Sequence, residues 1–490
     1  GEARTPLMRA AGRRRAELRR EKRQLDGAQL RRAVLSAAAL SSFLTSFMGA
    51  SVVISLPAIG RDFDLNAVLL GWVATAYLLA AGMFLVPFGR FADIHGRKRV
   101  FTVGIAINTL ASIALAGSTS PAMMIALRFV QGIGAAMIFG TSMAMLISVY
   151  PADERGKVLG ISVTAVYLGL SLGPLVGGFL THHLGWRSVF LSHVPLAAAV
   201  LYLILRRLKG EWAEAKGERF DLAGAIIYMI AVALFMNGLA RLPSTPGIAM
   251  TAAGLAGLAV FAAWELRTPD PLLDIGLFRR NTVFAFSNLA ALINYSATFA
   301  VGFLLSLYLQ YIGKLTAQSA GLVLLWQPVV QALFSPFAGR LSDRIQPRIV
   351  TSIGMGLTVA GLLLLGFVGW TTSLTYVVAC LVLLGLSFAL FSSPNTNAVM
   401  SSVERHHYGL AAAILGSMRL TGQLLSMAIA MLIFSLYGLD RAQITPASYP
   451  VLLATVRMAF LIFAGLCLAG VFASLARGKL GRKAWRAVEG

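Results

Sequence analysis

The chain has 490 residues, of which 57% are hydrophobic and only 13% charged. Its mean hydropathy is +0.76, whereas a soluble chain carries roughly 25% charged residues, so lipid must be its solvent. The formal charge of +22 would suit nucleic acid, but the cations sit in short polar gaps and an N-terminal tail, not on a face interleaved with exposed aromatics, which excludes that partner.

Residues 1–32 carry eleven Lys or Arg against four acids and contain no long apolar run. Two readings stand for them: a solvated tail that fixes orientation, or a helix lying on the lipid surface. Fourteen apolar stretches follow, each long enough to cross a bilayer, which takes about 20 residues. They run at 33–57, 67–89, 99–118, 121–149, 157–181, 187–206, 222–241, 246–266, 282–312, 317–339, 348–370, 372–400, 408–437 and 449–476. Barrel strands would show short alternating segments, so helices are predicted. No cleaved leader is expected, because the first stretch is of spanning length and lacks a small-residue cleavage site. Cys380 and Cys467 both fall inside apolar runs and leave no disulfide or metal spacing to read.

With the tail placed in the cytoplasm, the cytoplasmic gaps and both tails hold 34 of the 42 Lys and Arg. The other face holds Arg61, Arg187, Arg241, Lys314 and Arg441. So lopsided a split fits the positive-inside rule and an even number of crossings, with both termini inside. The chain divides into a basic tail (1–32), a first half (33–206), a linker with an inserted hairpin (207–281, crossings 222–241 and 246–266), a second half (282–476) and a basic tail (477–490). The stretch from Arg206 to Asp221 reads as a solvated linker. The hairpin, poor in polar groups apart from Asn237, is expected to pack on the bundle without lining a pathway.

The halves are related. Gly89-Arg90-Phe91-Ala92-Asp93-Ile94-His95-Gly96-Arg97-Lys98-Arg99 returns, degraded, 250 positions later as Gly339-Arg340-Leu341-Ser342-Asp343-Arg344-Ile345-Gln346-Pro347-Arg348. Each copy lies between apolar runs, and so many cations place it at the membrane surface. Asp93 is suited to capping the next helix or pairing with Arg97. Either a gate latch or a plain topology anchor fits the first copy, and the same choice holds for Asp343. Duplicated halves are the plan of many secondary transporters.

In the fifth stretch Gly169, Gly173 and Gly177 share one helical face, which admits a neighbouring backbone, and Pro174 invites a bend. This seam reads as a pivot between halves or as plain small-residue packing. Arg128 lies deep in the fourth stretch and must find acceptors in the bundle interior or in water. Arg419 and Gln423 form a second polar face in the thirteenth stretch. Arg457 lies near an end and is expected to snorkel to the surface. His193 is the one imidazole inside a stretch, suited either to a pH switch or to a structural hydrogen bond.

Four patterns together resemble the major facilitator superfamily: the 89–99 loop; Arg128-Phe129-Val130-Gln131-Gly132-Ile133-Gly134; Gly169-x-x-x-Gly173-Pro174-x-x-Gly177-Gly178; and Trp72-Val73-Ala74-Thr75-Ala76-Tyr77. With fourteen crossings, the chain is similar to that superfamily's drug:proton antiporter branch. The resemblance implies an all-α membrane fold of two pseudo-symmetric six-helix bundles plus an inserted hairpin, and it ties Arg128 to proton coupling. Relatives of that branch often carry an Asp in the first helix, in a pattern ending Ala-Leu-Pro; here Met48 stands in that place, and none of the 20 acids falls mid-span. Substrate contact is then expected from Met48, Tyr77, Gln131, Asn288, Asn294, Tyr295, Trp326, Gln327, Gln331, Asn395, Asn397, Arg419 and Gln423, a set of amides, rings and cations suited to bulky organic molecules.

The expected function is alternating-access export of lipophilic or amphiphilic compounds across the cytoplasmic membrane, by a monomer in lipid, with the proton gradient and no cofactor. Anionic amphiphiles, lipids or organic acids, are the alternative cargo. An enzyme is not expected, since His182-His183 and His406-His407 lie in loops without matching acids or cysteines.

Overall fold

Hydrocarbon offers the backbone no hydrogen-bond partner, so every crossing must close its own N–H and C=O groups. The computed structural model describes residues 4–151, 154–208, 210–273, 276–404, 408–439 and 443–478. Among these residues are fourteen helices long and apolar enough to cross a membrane, and no strand beyond one bridge between Asn66 and Gln443. They are α1 (Ala28–Asp62), α2 (Ala67–His95), α3 (Arg97–Ala116), α4 (Pro121–Val149), α5 (Gly160–Leu184), α6 (Arg187–Arg207), α7 (Leu222–Leu239), α8 (Thr245–Glu265), α9 (Thr282–Ile312), α10 (Ala317–Ser342), α11 (Pro347–Leu365), α12 (Leu374–Ser401), α13 (Ile414–Leu436) and α14 (Pro446–Ala476).

The helix that contains α1 begins at Arg4, so the described part of the basic tail runs straight into the first crossing. Short polar side chains start many of the others. Asn66, Ser120, Asp221, Ser244, Asn281, Thr316 and Ser373 each accept a backbone N–H of the first turn of α2, α4, α7, α8, α9, α10 and α12. Such caps satisfy donors that have no partner within the helix.

Packing sorts the helices into two bodies. In the first, α1 lies on α5, and α4 lies on α2 and α3; in the second, α12 lies on α10 and α11, α14 on α11, and α9 on α13. The bodies meet along α5 with α10 and along α2 with α13. The hairpin sits over one of these lines. Its α7 touches α2 and α13, one helix from each body, and Tyr228 donates to the Gly82 carbonyl at 3.1 Å.

An even number of crossings puts both described ends of the chain on one face, here called the basic face. Bonds between the bodies concentrate, among the described residues, toward the opposite face. There Ser306 Oγ donates to the Val53 carbonyl at 3.1 Å and Gln310 Nε2 to the Ile54 carbonyl at 3.0 Å. The backbone N–H of Ala67 reaches the Leu439 carbonyl at 3.3 Å.

The glycine face of α5 is occupied differently from the pivot expected between halves. A β-carbon on Gly169 would lie 2.5 Å from the Phe43 carbonyl oxygen, and one on Gly173 2.5 Å from the Ala50 β-carbon. Both neighbours belong to α1, so this seam binds two helices of the same body. Ser51 Oγ reinforces it, donating to the Gly173 carbonyl at 2.9 Å. The approach between bodies is one step round the helix: a β-carbon on Gly321 would lie 2.1 Å from the Pro174 carbonyl oxygen, and one on Gly178 2.5 Å from that of Ala317. Pro174 therefore stays at the interface between bodies, whereas Gly173 does not.

Gly173→Val is expected to overpack the α1–α5 seam and cost about 1–3 kcal/mol of stability. Gly49→Ala, where an added β-carbon meets nothing within 4 Å, should be neutral. Thermal unfolding of the two detergent-purified variants checks the contrast; equal midpoints would contradict the packing described.

Candidate functional site: a buried arginine, a latched loop and the seam between bodies

Arg128 sits in the third turn of α4, 2% exposed. Its Nε donates to the Val73 carbonyl at 3.0 Å, a terminal nitrogen donates to Gln131 Oε1 at 2.5 Å, and the guanidinium lies 4.6 Å from the centre of the Tyr77 ring. Gln131 Nε2 in turn donates to Ser112 Oγ at 2.8 Å, and Asn108 Nδ2 to the Gln131 carbonyl at 3.0 Å. The charge is thus held by a carbonyl, an amide and an aromatic face, with no carboxylate among the described residues around it. A cation is costly in low dielectric unless its donors are satisfied. Tyr77 and Gln131 supply that satisfaction. One ring face of Tyr77 and the side-chain amide of Gln131 are thus engaged by Arg128 and its neighbours.

The loop between α2 and α3 is organised around a second buried cation. Arg97 Nε donates to Asp93 Oδ1 at 2.7 Å, and its two terminal nitrogens reach the Glu214 carboxylate at 2.7 and 3.0 Å. Ser148 of α4 also accepts from Arg97 and itself donates to Glu214 at 2.8 Å. Asp93 therefore pairs with Arg97 instead of capping α3. The cap is Glu211, whose Oε1 accepts the Lys98 N–H at 2.7 Å. Gly96 permits this: its φ is +119°, and a β-carbon there would strike the Glu211 side chain at 2.5 Å. Arg90 pairs with Glu218, and the Ala215 N–H bonds the Asp93 carbonyl at 3.0 Å.

These contacts correct the reading of the stretch before Asp221 as a passive solvated linker. Three of its acids are committed to the 89–99 loop, strapping it down. The only signal in the sequence was charge complementarity between two stretches more than a hundred residues apart, which no local spacing could pair. Among the described residues the second half shows no such latch. Pro347 stands where the repeat would place Arg97, and the Asp343 side chain lies outside the described residues.

Where the bodies face one another, Tyr167 of α5 donates to Ser392 Oγ of α12 at 3.3 Å. Tyr295 lies edge-on to Phe388, ring centres 6.3 Å apart, and within electrostatic reach of Arg419 and Tyr167. Arg419 and Gln423 are half-buried on α13. Of the expected cargo contacts, Tyr295 and Arg419 are therefore brought together between the bodies. Tyr167, Ser392 and Phe388 join them and were not singled out in the sequence, since nothing in helical spacing distinguishes them from packing residues.

The remaining amides serve the second body internally. Asn395 Nδ2 donates to the Ser287 carbonyl at 3.1 Å, Asn397 to Ser342 Oγ at 2.9 Å, and Asn288 to the Phe284 carbonyl of its own helix at 2.9 Å. Asn294 is fully buried with its amide oxygen 4.0 Å from Cys467 Sγ. Gln331 is buried with Gln327 half-buried one turn before it, while Trp326 is 47% exposed on the same exposed stripe as Leu322, Leu333 and Phe337. Met48 is buried in the apolar core, and His193 is buried with an Nδ1 that makes no hydrogen bond. Arg457 donates to the Val368 carbonyl.

The match to known proteins spans this whole arrangement. The model of the Major Facilitator Superfamily matches residues 38–313 and 287–487. The chain belongs to that superfamily. It is 31% identical to the multidrug resistance protein Stp of Mycobacterium tuberculosis, over 81% of this chain and 74% of that protein. It is also 31% identical to the cephamycin export protein CmcT of Amycolatopsis lactamdurans (80% and 82% covered), and 27% identical to the riboflavin transporter RibZ of Clostridioides difficile (79% and 84%). The human organic anion transporter MFSD10 has the same fold, with a TM-score of 0.60 at 17% identity, covering 91% of this chain and 99% of the other. The protein is a multi-pass membrane transporter of this superfamily and not an enzyme.

Asp93 and Glu214 share one guanidinium, so their removal should not be additive. A double-mutant cycle on thermal stability with Asp93→Asn and Glu214→Gln is expected to give a coupling of about 0.5–3 kcal/mol. Additivity would mean that the strap is not part of the latch.

Proposed function

We propose that this transporter exports bulky lipophilic or amphiphilic organic compounds, taking them from the basic face, which is cytoplasmic. One observation carries the reading: the groups gathered between the bodies are rings, a hydroxyl and a cation, with no described carboxylate. Such a lining favours large, partly apolar molecules held by stacking and a few polar contacts. The names of the relatives, resistance and export proteins, support the direction. Bonds concentrated toward the opposite face support a cytoplasm-open conformer, with cargo entering where the bodies are less tied.

Export is driven by protons in this reading, and the loop latch is where the cycle is gated. Opening the other face requires the bodies to swing, and the α2–α3 loop with its strap must change partners as they do. Asp93 takes a proton when it leaves Arg97, while Arg128, held in place by neutral groups, keeps α2 and α4 in register beneath the sealed face. A second reading, export of anionic amphiphiles, is favoured by Arg419, a cation half-buried near Tyr295 in the seam.

Efflux from proteoliposomes with and without an imposed pH gradient tests both. The first reading expects gradient-driven efflux of a permanently cationic dye, reduced at least tenfold by Arg128→Ala and by Asp93→Asn. Gradient-independent transport would remove the proton, and efflux confined to anionic amphiphiles, lost in Arg419→Gln, would establish the second reading instead.

A further inference from the structure

The 250-residue repeat places Gln346, Pro347 and Arg348 where the first half has Gly96, Arg97 and Lys98. In the first half that corner, at the start of α3 and beside the end of α6, is filled by the strap: Glu211 caps the Lys98 N–H and lies 3.6 Å from Arg99, and the Arg97 N–H bonds the Trp212 carbonyl at 2.8 Å. In the second half the same corner is a pocket. It is shallow and open to the surface, with enclosed room for about one water, and is lined by Gln346, Pro347 and Arg348 at the start of α11, by Arg477 and Gly478 after α14, by Val283 of α9 and by Ala398 of α12.

The charges around this pocket are unbalanced. Arg477 is 1% exposed, yet its guanidinium meets only neutral acceptors: the Ser474 carbonyl at 3.0 Å and the hydroxyls of Ser474, Thr351 and Ser287 at 2.6, 2.8 and 3.4 Å. Burial pulls its pKa down to about 10, which still leaves it charged at neutral pH. No side chain caps α11, and the Gln346 side-chain oxygen is buried without a partner. Amide oxygen and nitrogen are interchangeable by rotation, so Gln346 is able to present a donor there instead. Past Gly478 the sequence adds four cations against one acid, and so supplies little to neutralise the site.

We propose that this corner of the second body is a binding site for an anionic phosphate group, the counterpart of the site that the first body fills with its own Glu211 and Glu214. Arg348 and Arg477 hold the phosphate oxygens, with Gln346 and the first amides of α11 as further donors. The position, level with the helix ends of the basic face, suits the headgroup of an anionic phospholipid in that leaflet. Bound there, the lipid does for α9, α11 and α14 what the strap does for the first body, tying helix ends together at the surface.

The test uses the full-length protein in detergent, titrated with phosphatidylglycerol, with phosphatidylcholine or with inorganic phosphate, and read by thermal shift and by native mass spectrometry. Phosphatidylglycerol is expected to raise the midpoint by several degrees over phosphatidylcholine and to give one more retained lipid. Arg348→Gln, a variant on the half-buried side of the pocket that leaves Arg477 in place, should lose at least half of the shift and that retained lipid. Stabilisation by inorganic phosphate that is equally sensitive to Arg348→Gln would keep the anion site and make its source a soluble phosphate. Equal effects of the two lipids on the wild type, or an undiminished phosphatidylglycerol shift in Arg348→Gln, would overturn the proposal.

Discussion

A guanidinium in low dielectric has to be satisfied by whatever the surrounding helices offer, and this chain offers two kinds of partner in two places. Inside the bilayer the partners are neutral: a carbonyl, an amide and a ring for Arg128, a carbonyl for Arg457, and Tyr295 near Arg419. At the basic face of the first body they are carboxylates, shared out among Arg90, Arg97 and Arg99. The division has a mechanical meaning. Neutral partners hold a cation without depending on protonation, which in the proposed cycle makes the Arg128 cluster a fixed strut. Carboxylate partners at a partly wet surface can be exchanged or protonated, which in the same proposal makes the Arg97 cluster the part that is unlocked.

Hydropathy alone made the fourteen crossings legible, because each had to supply about 20 apolar residues and polar residues could survive only in the gaps. Motif spacing located Arg97, Arg128 and the α5 glycines, and it was right that each sits at a constrained place. Direction was what spacing left open. Gly169, Gly173 and Gly177 share a face, but the face looks at α1, and only the packing of the helices shows that Pro174 and Gly178 look across to α10. The asparagines of α9 and α12 show the same limit, since Asn395 and Asn397 turn their amide nitrogens to Ser287 and Ser342 of the same body. Periodicity gives the side of a helix, whereas the choice between a neighbouring carbonyl and the space between bodies is made by how the helices are stacked.

The strap was hidden for a different reason. Glu211, Glu214 and Glu218 form an ordinary polar stretch, and composition assigns such stretches to solvent. Their partners lie in a loop more than a hundred residues earlier, and only the return of α6 to the basic face brings the two together. Gly96 is the local sign that something approaches, since its backbone conformation and lack of a β-carbon leave room for the Glu211 carboxylate.

The two halves descend from one plan but have diverged where they meet the basic face, and the divergence sets how each responds to motion. The first body carries its counter-charges on the segment that leads to the hairpin α7–α8, and that hairpin leans on both α2 and α13. A swing of the bodies that displaces α13 from α2 therefore pulls on α7, and through Asp221 and Glu218 on the strap that clamps Arg97. In the proposed cycle the hairpin is thus in mechanical series with the latch. Among the described residues the second body has no such internal segment, since Pro347 replaces the latch arginine and the sequence continues past α14 into a cationic tail. Its surface corner is left to be held by something other than the protein's own acids, so the leaflet touching the basic face can bias one body of the transporter without acting equally on the other.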